Sequence, residues 1–340
     1  MRTPTVDIII PVWNNPFETR NCLAAIRNYS PDARLIVVDN ASNRETELML
    51  EEFSEPLDEA ALFMKSERNV GLVKSINMGL ALSDSDFAVI VRPHVLVTPN
   101  WLDELIDAAK FGMSCPIYIG NNSNGTPKPL KGISRMETSG ISFSVLVISK
   151  NMRNKIGAFD EDMDGGVWCL ADYVKRAASQ GYKVFVSSES KVSVGQATVY
   201  GSDERIAEIT KNSLLTFQNR WGTRKHFAVY FGRIVDIDAL QKCLDILLIA
   251  ARHGHSFTLL LHRKQNSVFI RSGWNFLHTS IQLCPISRIF AKRDLHKKLT
   301  ALKIKYPEIV TVNGSYGALK NIDENAVLFD EIATLLPKQP

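Results

Sequence analysis

Metal frameworks and disulfide frameworks are the first things this chain lacks. Its five cysteines (Cys22, Cys115, Cys169, Cys243, Cys284) are scattered and no two form a CxxC pair. Neither a zinc site nor a stapled small fold is indicated, and this usage suits a reducing, cytoplasmic location. No apolar run approaches the ~18 residues of a membrane span. The start, MRTPTVDIIIPVW, does not read as a signal peptide. Its apolar stretch is short, and Pro11 and Asn14 stand where small residues would be needed. Net charge is only +4, too little by itself to point to nucleic acid. Glycine is missing from WNNPFETR, the segment after the first apolar run. A dinucleotide dehydrogenase needs G-x-G-x-x-G there and is excluded. A nucleotidyltransferase would carry a glycine-rich basic loop at the same place and is disfavoured.

What is present is an ordinary globular composition, 45% apolar and 22% charged over 340 residues. That is enough chain for one large domain and a smaller one. DIIIPV (7–12), RLIVVD (34–39), ALFMKS (61–66) and DFAVIVR (86–92) read as strands, most of them buried on both faces. Helices alternate with them, over 16–28, through ETELMLEEF, and over GLVKSINMGLAL (71–82). This alternation predicts an α/β fold with a mostly parallel central sheet flanked by helices. Ligands on such sheets bind outside the carboxyl ends of the strands. Here those ends are Pro11–Asn15, Asp39–Asn43, Glu67–Asn69 and Arg92–His94.

Further on, IGNNSNGTPKPLKG (119–132) reads as a loop and ISFSVLVIS (141–149) as a strand. A helix is expected from about Ala171 to Gln180, then the strand YKVFVS (182–187), then a helix over 201–222 capped by Ser202. After Gly222 the pattern restarts, with strands at 227–231, 257–262 and 309–312 and helices at 236–253 and near 287–304. We therefore expect two domains, 1–222 and a small α/β unit over 223–340 of unknown role.

Several residues at the strand ends carry possible chemistry. Asp39 could accept hydrogen bonds from a base or a ribose, or could cap a turn, since Asp-Asn-x-Ser is good turn chemistry. Asn69, Lys74 and Asn77 lie in RNVGLVKSINMG, with Lys74 and Asn77 on one helix face. A lysine there could face a diphosphate or simply be solvated. His94 could be a metal ligand, a phosphate partner or a polar edge residue. Asp172, at the start of a helix, could be a cap or a general base. Asp160, Glu161, Asp162 and Asp164 crowd before it, the pattern of a solvated loop.

Taken in order, VDIIIPVWNN, LIVVDNAS, NVGLVKSINMG, DFAVIVRPHVLVTPNWL, IGAFDE and DYVKRAASQGYKV resemble family 2 glycosyltransferases of the GT-A fold. TFQNRWG, with Trp221, looks like the closing helix of those domains. The likeness covers roughly residues 5–222. It implies a nucleotide-diphospho-sugar donor and inversion at the anomeric carbon. It implies that Pro11, Val12, Trp13, Asn14 and Asp39 hold base and ribose, and that Asp172 is the catalytic base. It also implies a divalent cation, Mn2+ or Mg2+, held by carboxylates after the fourth strand.

The chain departs from that pattern. Arg92-Pro93-His94 stands where the carboxylates belong, Cys169 replaces the acid expected three places before Asp172, and KVSVGQATVYG (191–201) has no histidine. Arginine carries donors only and cannot ligate a metal. One imidazole is a poor substitute for hard oxygen ligands. The expectation is that Arg92, His94 and Lys74 neutralise the diphosphate in place of the cation. The acceptor would be a glycan or a lipid-linked species. The rival expectation is a catalytically inactive binding subunit of a glycan-assembly system. The basic stretch 263–305 interleaves Trp274, Phe276, Leu277, Ile281 and Phe290 with lysine and arginine, which suits peripheral contact with anionic lipid.

Overall fold

The computed structural model describes residues 3–57, 60–119, 132–196, 203–233, 236–314, 319 and 323–334. Most of the expected loop at 119–132, and Ser202, lie outside the described residues. The chain divides into two compact units. One takes Met1–Arg135 and Gly140–Gly222, the other Met136–Ser139 and Thr223–Pro340.

The first unit opens with β1 (Val6–Val12), α1 (Pro16–Tyr29), β2 (Arg34–Asp39), α2 (Arg44–Ser54), β3 (Ala61–Lys65), α3 (Leu72–Ala81) and β4 (Phe87–Val91). The side chains of β4 and nearly all of those in β1 and β2 are buried, which is why they read as unbroken apolar runs. These four strands pair in parallel in the order β3-β2-β1-β4. The register sets Val12, Asp39 and Lys65 abreast at the carboxyl edge.

Then come β5 (Val95–Leu96), α4 (Asp103–Ala109), β6 (Gly112–Ile119), β7 (Arg135–Glu137), β8 (Val145–Ser149) and α5 (Lys150–Ile156). A 3-10 turn at Glu161–Met163 leads to α6 (Trp168–Ser179), β9 (Lys183–Val194) and α7 (Asp203–Trp221). The sheet continues β4-β8-β6-β9-β5, with β8 antiparallel to both β4 and β6. The sheet is thus mixed, with its β3-β2-β1-β4 half parallel.

The second unit contains β10 (His226–Tyr230), α8 (Ile237–Arg252), β11 (Ser256–Leu261), α9 (Arg263–Arg271), β12 (Ile281–Pro285), α10 (Ala291–Lys305), β13 (Val310–Asn313), β14 (Val327–Leu328) and α11 (Asp330–Thr334). Its five strands are all parallel in the order β12-β11-β10-β13-β14, a doubly wound sheet. Phe227, Val229 and Phe231 pack one face with Leu244 and Leu247, while Ala228 and Tyr230 pack the other with Leu295 and Leu299. The apolar residues expected to interleave with basic ones do not all face water. Ile281 is buried in this core and Trp274 packs edge-on against Phe269. Leu277 and Phe290 are exposed, at 36% and 77%, and so are Ile270, Ile289 and Ile304 of the same stretch. No helix among the described residues is long and apolar enough to cross a membrane.

Candidate active site

The carboxyl edge of β1–β4 is shaped by asparagines. Asn14 has a left-handed backbone (φ 55); its N–H donates to Ser42 Oγ (2.9 Å) and its Oδ1 accepts from Asn43 N (2.8 Å). Asn43 in turn caps α2, accepting from Thr46 N at 3.0 Å. The first two strand ends are thereby tied together. Asn40 is wholly buried; its Nδ2 donates to Asn69 Oδ1 (3.0 Å) and Gly71 O (3.2 Å), and its Oδ1 accepts from Val70 N (2.8 Å). This clasp fixes the turn that starts α3. Asp39 accepts from Ser42 N at 3.0 Å and lines a small hollow of about 150 Å3 with Leu50, Phe63, Met64 and Lys65.

Beside it lies a larger cleft, of about 460 Å3. Trp13, Asn69 and Arg92 line it from the strand ends, and Asp164 and Arg205 face them. Phe143, Met163, Ile206 and Ile209 supply apolar wall. Asp164 reaches across 91 residues of sequence to cap α3, its Oδ1 accepting from Val73 N at 3.1 Å. Burial pushes its carboxyl up to about 6, against the pull of the Val73 and Leu72 amides and of Arg92. It is half-buried, ionised at neutral pH, and poised to take up a proton.

Of the residues named from sequence only Trp13, Asn69 and Arg92 line this cleft; the others sit elsewhere. Asp172 is not in the cleft. Its side chain is 0% exposed, sealed under the packing of α6 and α7. Oδ2 accepts from Arg176 Nε, and Oδ1 from Arg220 Nη1 and Trp221 Nε1, each at 2.8 Å. Burial works to raise its pKa, but the bonds from Trp221, Arg176 and Arg220 outweigh it and hold the carboxyl below its ordinary range. Both oxygens are occupied, so in this structure Asp172 serves as a structural anion.

His94 is buried too, with Nε2 3.0 Å from Ser144 Oγ. Burial, then the charge of Arg92, pushes its imidazole down to about 3, so it is neutral and adds no charge to the site. Lys74 points to Glu161 (3.7 Å) and lies outside the cleft lining. Asn77 grips the 159–161 segment, donating to Phe159 O (2.9 Å) and accepting from Phe159 N (3.1 Å). Pro11 and Val12 are buried, and Val12 contributes its carbonyl to Asn40 N (2.8 Å). Arg205 and Asp164 were not found from sequence. A carboxylate inside an acidic run and an arginine early in a helix carry no signal of their own.

The donor set does not suit a divalent cation. Among the described residues no group of three or more His, Cys, Asp or Glu is arranged to hold one. The cleft lining offers one carboxylate and two guanidinium groups, where hard cations want several oxygens.

Known proteins bear on what this arrangement is. Residues 7–160 match the family model described as Glycosyl transferase family 2. An uncharacterized glycosyltransferase of Methanocaldococcus jannaschii, MJ1057, is 22% identical over 263 residues, 69% of this chain and 86% of that protein. The putative glycosyltransferase TagX of Staphylococcus aureus is 29% identical over 122 residues, 34% of each chain. Among solved structures, GalNAc-T7 with UDP, GalNAc and Mn2+ superposes with a TM-score of 0.55 at 13% identity, over 91% of this chain and 60% of that one. The mannosyltransferase PcManGT from Pyrobaculum calidifontis, in complex with GDP-Man and Mn2+, superposes with a TM-score of 0.50 at 16% identity, over 64% of each. The first unit has the GT-A fold of nucleotide-diphospho-sugar transferases. Residues 7–160 are similar to glycosyltransferase family 2, and these likenesses mark the chain as a glycosyltransferase.

Proposed function

We propose that the first unit moves a sugar from a nucleotide-diphosphate donor to a hydroxyl of a glycan or lipid-linked acceptor, with inversion and without a divalent cation. The observation that carries this reading is the cleft itself: one carboxylate raised to about 6 stands among Arg92, Arg205 and Trp13. Asp164 takes the proton of the acceptor hydroxyl. The freed oxygen attacks the anomeric carbon from the face opposite the diphosphate. The bond to the diphosphate breaks, and its electron pair leaves on a phosphate oxygen held by Arg92 and Arg205. Trp13 offers a stacking surface and Asp39 an acceptor for the base or ribose.

The test is transfer from UDP-, GDP-, CDP- and dTDP-sugars, each with Mn2+ and with chelator. We expect turnover that survives the chelator, with an inverted anomeric product, and a loss of roughly 100-fold or more in kcat for Asp164→Asn. Strict dependence on Mn2+ would sink the role given to the two arginines. Tight binding of a nucleoside diphosphate with no turnover on any acceptor would make the chain a binding subunit. Peripheral contact with anionic lipid through 263–305 is the further part of this reading. It rests on Ile289 and Phe290 standing exposed among Arg288, Lys292 and Arg293. Sedimentation with phosphatidylglycerol vesicles that is unchanged by charge reversal at Lys292, Arg293, Lys297 and Lys298 would remove it.

A further inference from the structure

The second unit holds a cavity of about 820 Å3, larger than the first unit's cleft. It lies past the carboxyl ends of β10, β11 and β12, where doubly wound sheets receive ligands. Five cations line it: Arg233, Arg263, Lys264, Arg271 and Arg288. No carboxylate does, and none of the five joins an ion pair among the described residues. The one acid between residues 263 and 305 is Asp294, and it is engaged elsewhere, by Ser287 N (2.7 Å) and Lys298 Nζ (3.0 Å). Like charges gathered round a concave wall repel one another and concentrate field in the hollow.

Local structure points the same way. Helix α9 begins with Arg263 and Lys264 and has no acid in its first turn, the reverse of what a helix N-terminus favours. An anion placed there relieves both the dipole and the charge crowding. The two strand ends that form the wall are held in place. Gln265 is fully buried, with Oε1 accepting from His262 N (2.9 Å) and Nε2 donating to Gly232 O (3.3 Å), and Tyr230 Oη lies 2.9 Å from His262 Nε2. Val268, Ile286 and Ala291 add apolar wall. The volume exceeds what a bare phosphate fills and suits a nucleotide-sized molecule.

We propose that this cavity binds an organic diphosphate, two linked phosphates carrying a ring-bearing or aliphatic body. The site is independent of the first unit's cleft. The ligand can come from two sources, a soluble nucleoside diphosphate or the headgroup of a lipid-linked diphosphate. Calorimetry on the full chain tests it, in an Arg92→Ala/Arg205→Ala background that disables the other cleft. The probes are UDP, inorganic pyrophosphate and orthophosphate. Phosphatidylcholine vesicles with and without a polyprenyl diphosphate form the lipid arm. The expected result is binding of UDP, of the diphosphate vesicles, or of both, with pyrophosphate tighter than orthophosphate. Arg271→Gln or Arg288→Gln should weaken it roughly tenfold or more with the urea midpoint unchanged, and Lys242→Gln, exposed on α8 and outside the cavity lining, should leave it alone. Whichever of UDP or the vesicles binds names the source. The proposal is overturned if neither binds, or if every cation removed weakens binding equally, which is diffuse charge attraction and not a site.

Discussion

At the scale of single residues, two aspartates eight positions apart meet opposite fates, and each fate can be measured. Asp164 is half-buried beside open cleft, and its carboxyl is raised to about 6. A general base must be ionised, so kcat/KM should climb as pH rises through about 6 and level off above it. Asp164→Asn keeps an oxygen to accept from Val73 N, so the α3 cap survives while the base is lost. We expect a slow, pH-flat enzyme with near-native stability; a profile unchanged in the variant would discard Asp164 as the base. Asp172 should behave in the contrary way. Asp172→Asn strands Arg176 and Arg220, whose side chains are 24% and 42% exposed and can partly rehydrate. A loss of about 2 kcal/mol in urea unfolding is expected, with the activity per folded molecule kept. His94 gives a third measurement. Its folded pKa of about 3 lies below the 6.5 of the free imidazole. As pH falls below 6.5 the unfolded chain takes the proton first, so stability present above that value drains away toward pH 3. Between about pH 7 and about pH 5 the wild type should lose roughly 2 kcal/mol more than His94→Gln does. Equal losses would mean that the imidazole is not sealed.

At the scale of elements, the site depends on how closely α7 lies on the turn after Asp164. A Cβ built on Gly165 meets Ile209 O and Thr210 N and Cα at 2.6 Å, all backbone. Helix α7 therefore cannot be kept in place over any larger residue, and it carries Arg205, Arg220 and Trp221. Gly165→Ala should cost about 1–3 kcal/mol and weaken donor binding, read by the urea midpoint and by KM. Gly157→Ala is the control, since its φ of +81 makes it strained but nothing lies within 4 Å; it should cost about 1 kcal/mol and leave KM alone. Equal effects on KM would show that α7 does not set the cleft.

The same elements explain what could be read in the sequence. β1, β2 and β4 are sealed on both faces, so burial wrote itself as apolar runs; the ends of β1 and β4 led to Trp13 and Arg92, and Asn69 follows the less buried β3. β6 escaped notice because Pro116 interrupts it and the register shifts between Pro116 and Ile117. α9, RKQNSVFIR, buries only Gln265 and Phe269, so its charge hid its helix. The neutrality of His94 and the raised pKa of Asp164 both come first from burial, which elements distant in sequence supply: His94 lies against Ser144, fifty residues on, and Asp164 against α3, 91 residues back. Such properties belong to tertiary contacts, which local pattern does not encode.

At the scale of the whole molecule, the two units are joined through more than the chain at Gly222. Residues Met136–Ser139 come from the middle of the first unit's sequence and group with the second. Glu137 accepts from Arg252 Nε (2.6 Å) and Nη2 (3.0 Å), its N–H donates to Leu277 O (3.3 Å), and its carbonyl accepts from Thr279 N (2.9 Å). Thr138 Oγ1 accepts from Thr279 Oγ1 at 2.8 Å. The chain therefore passes between units three times, and a cut after Gly222 does not separate them cleanly. A fragment ending there would carry residues 136–139 without Arg252, Leu277 or Thr279 to receive them. We expect faster proteolysis between Ser134 and Gly140 in that fragment than in the full chain. In the intact protein, Glu137→Gln with Arg252→Gln should give a double-mutant coupling of roughly 1–3 kcal/mol, because the pair is bidentate and the carboxylate only 12% exposed. Cleavage at the same rate in fragment and full chain, together with a coupling near zero, would mean that the second unit gains nothing from the borrowed strand and that the chain divides at Gly222 alone.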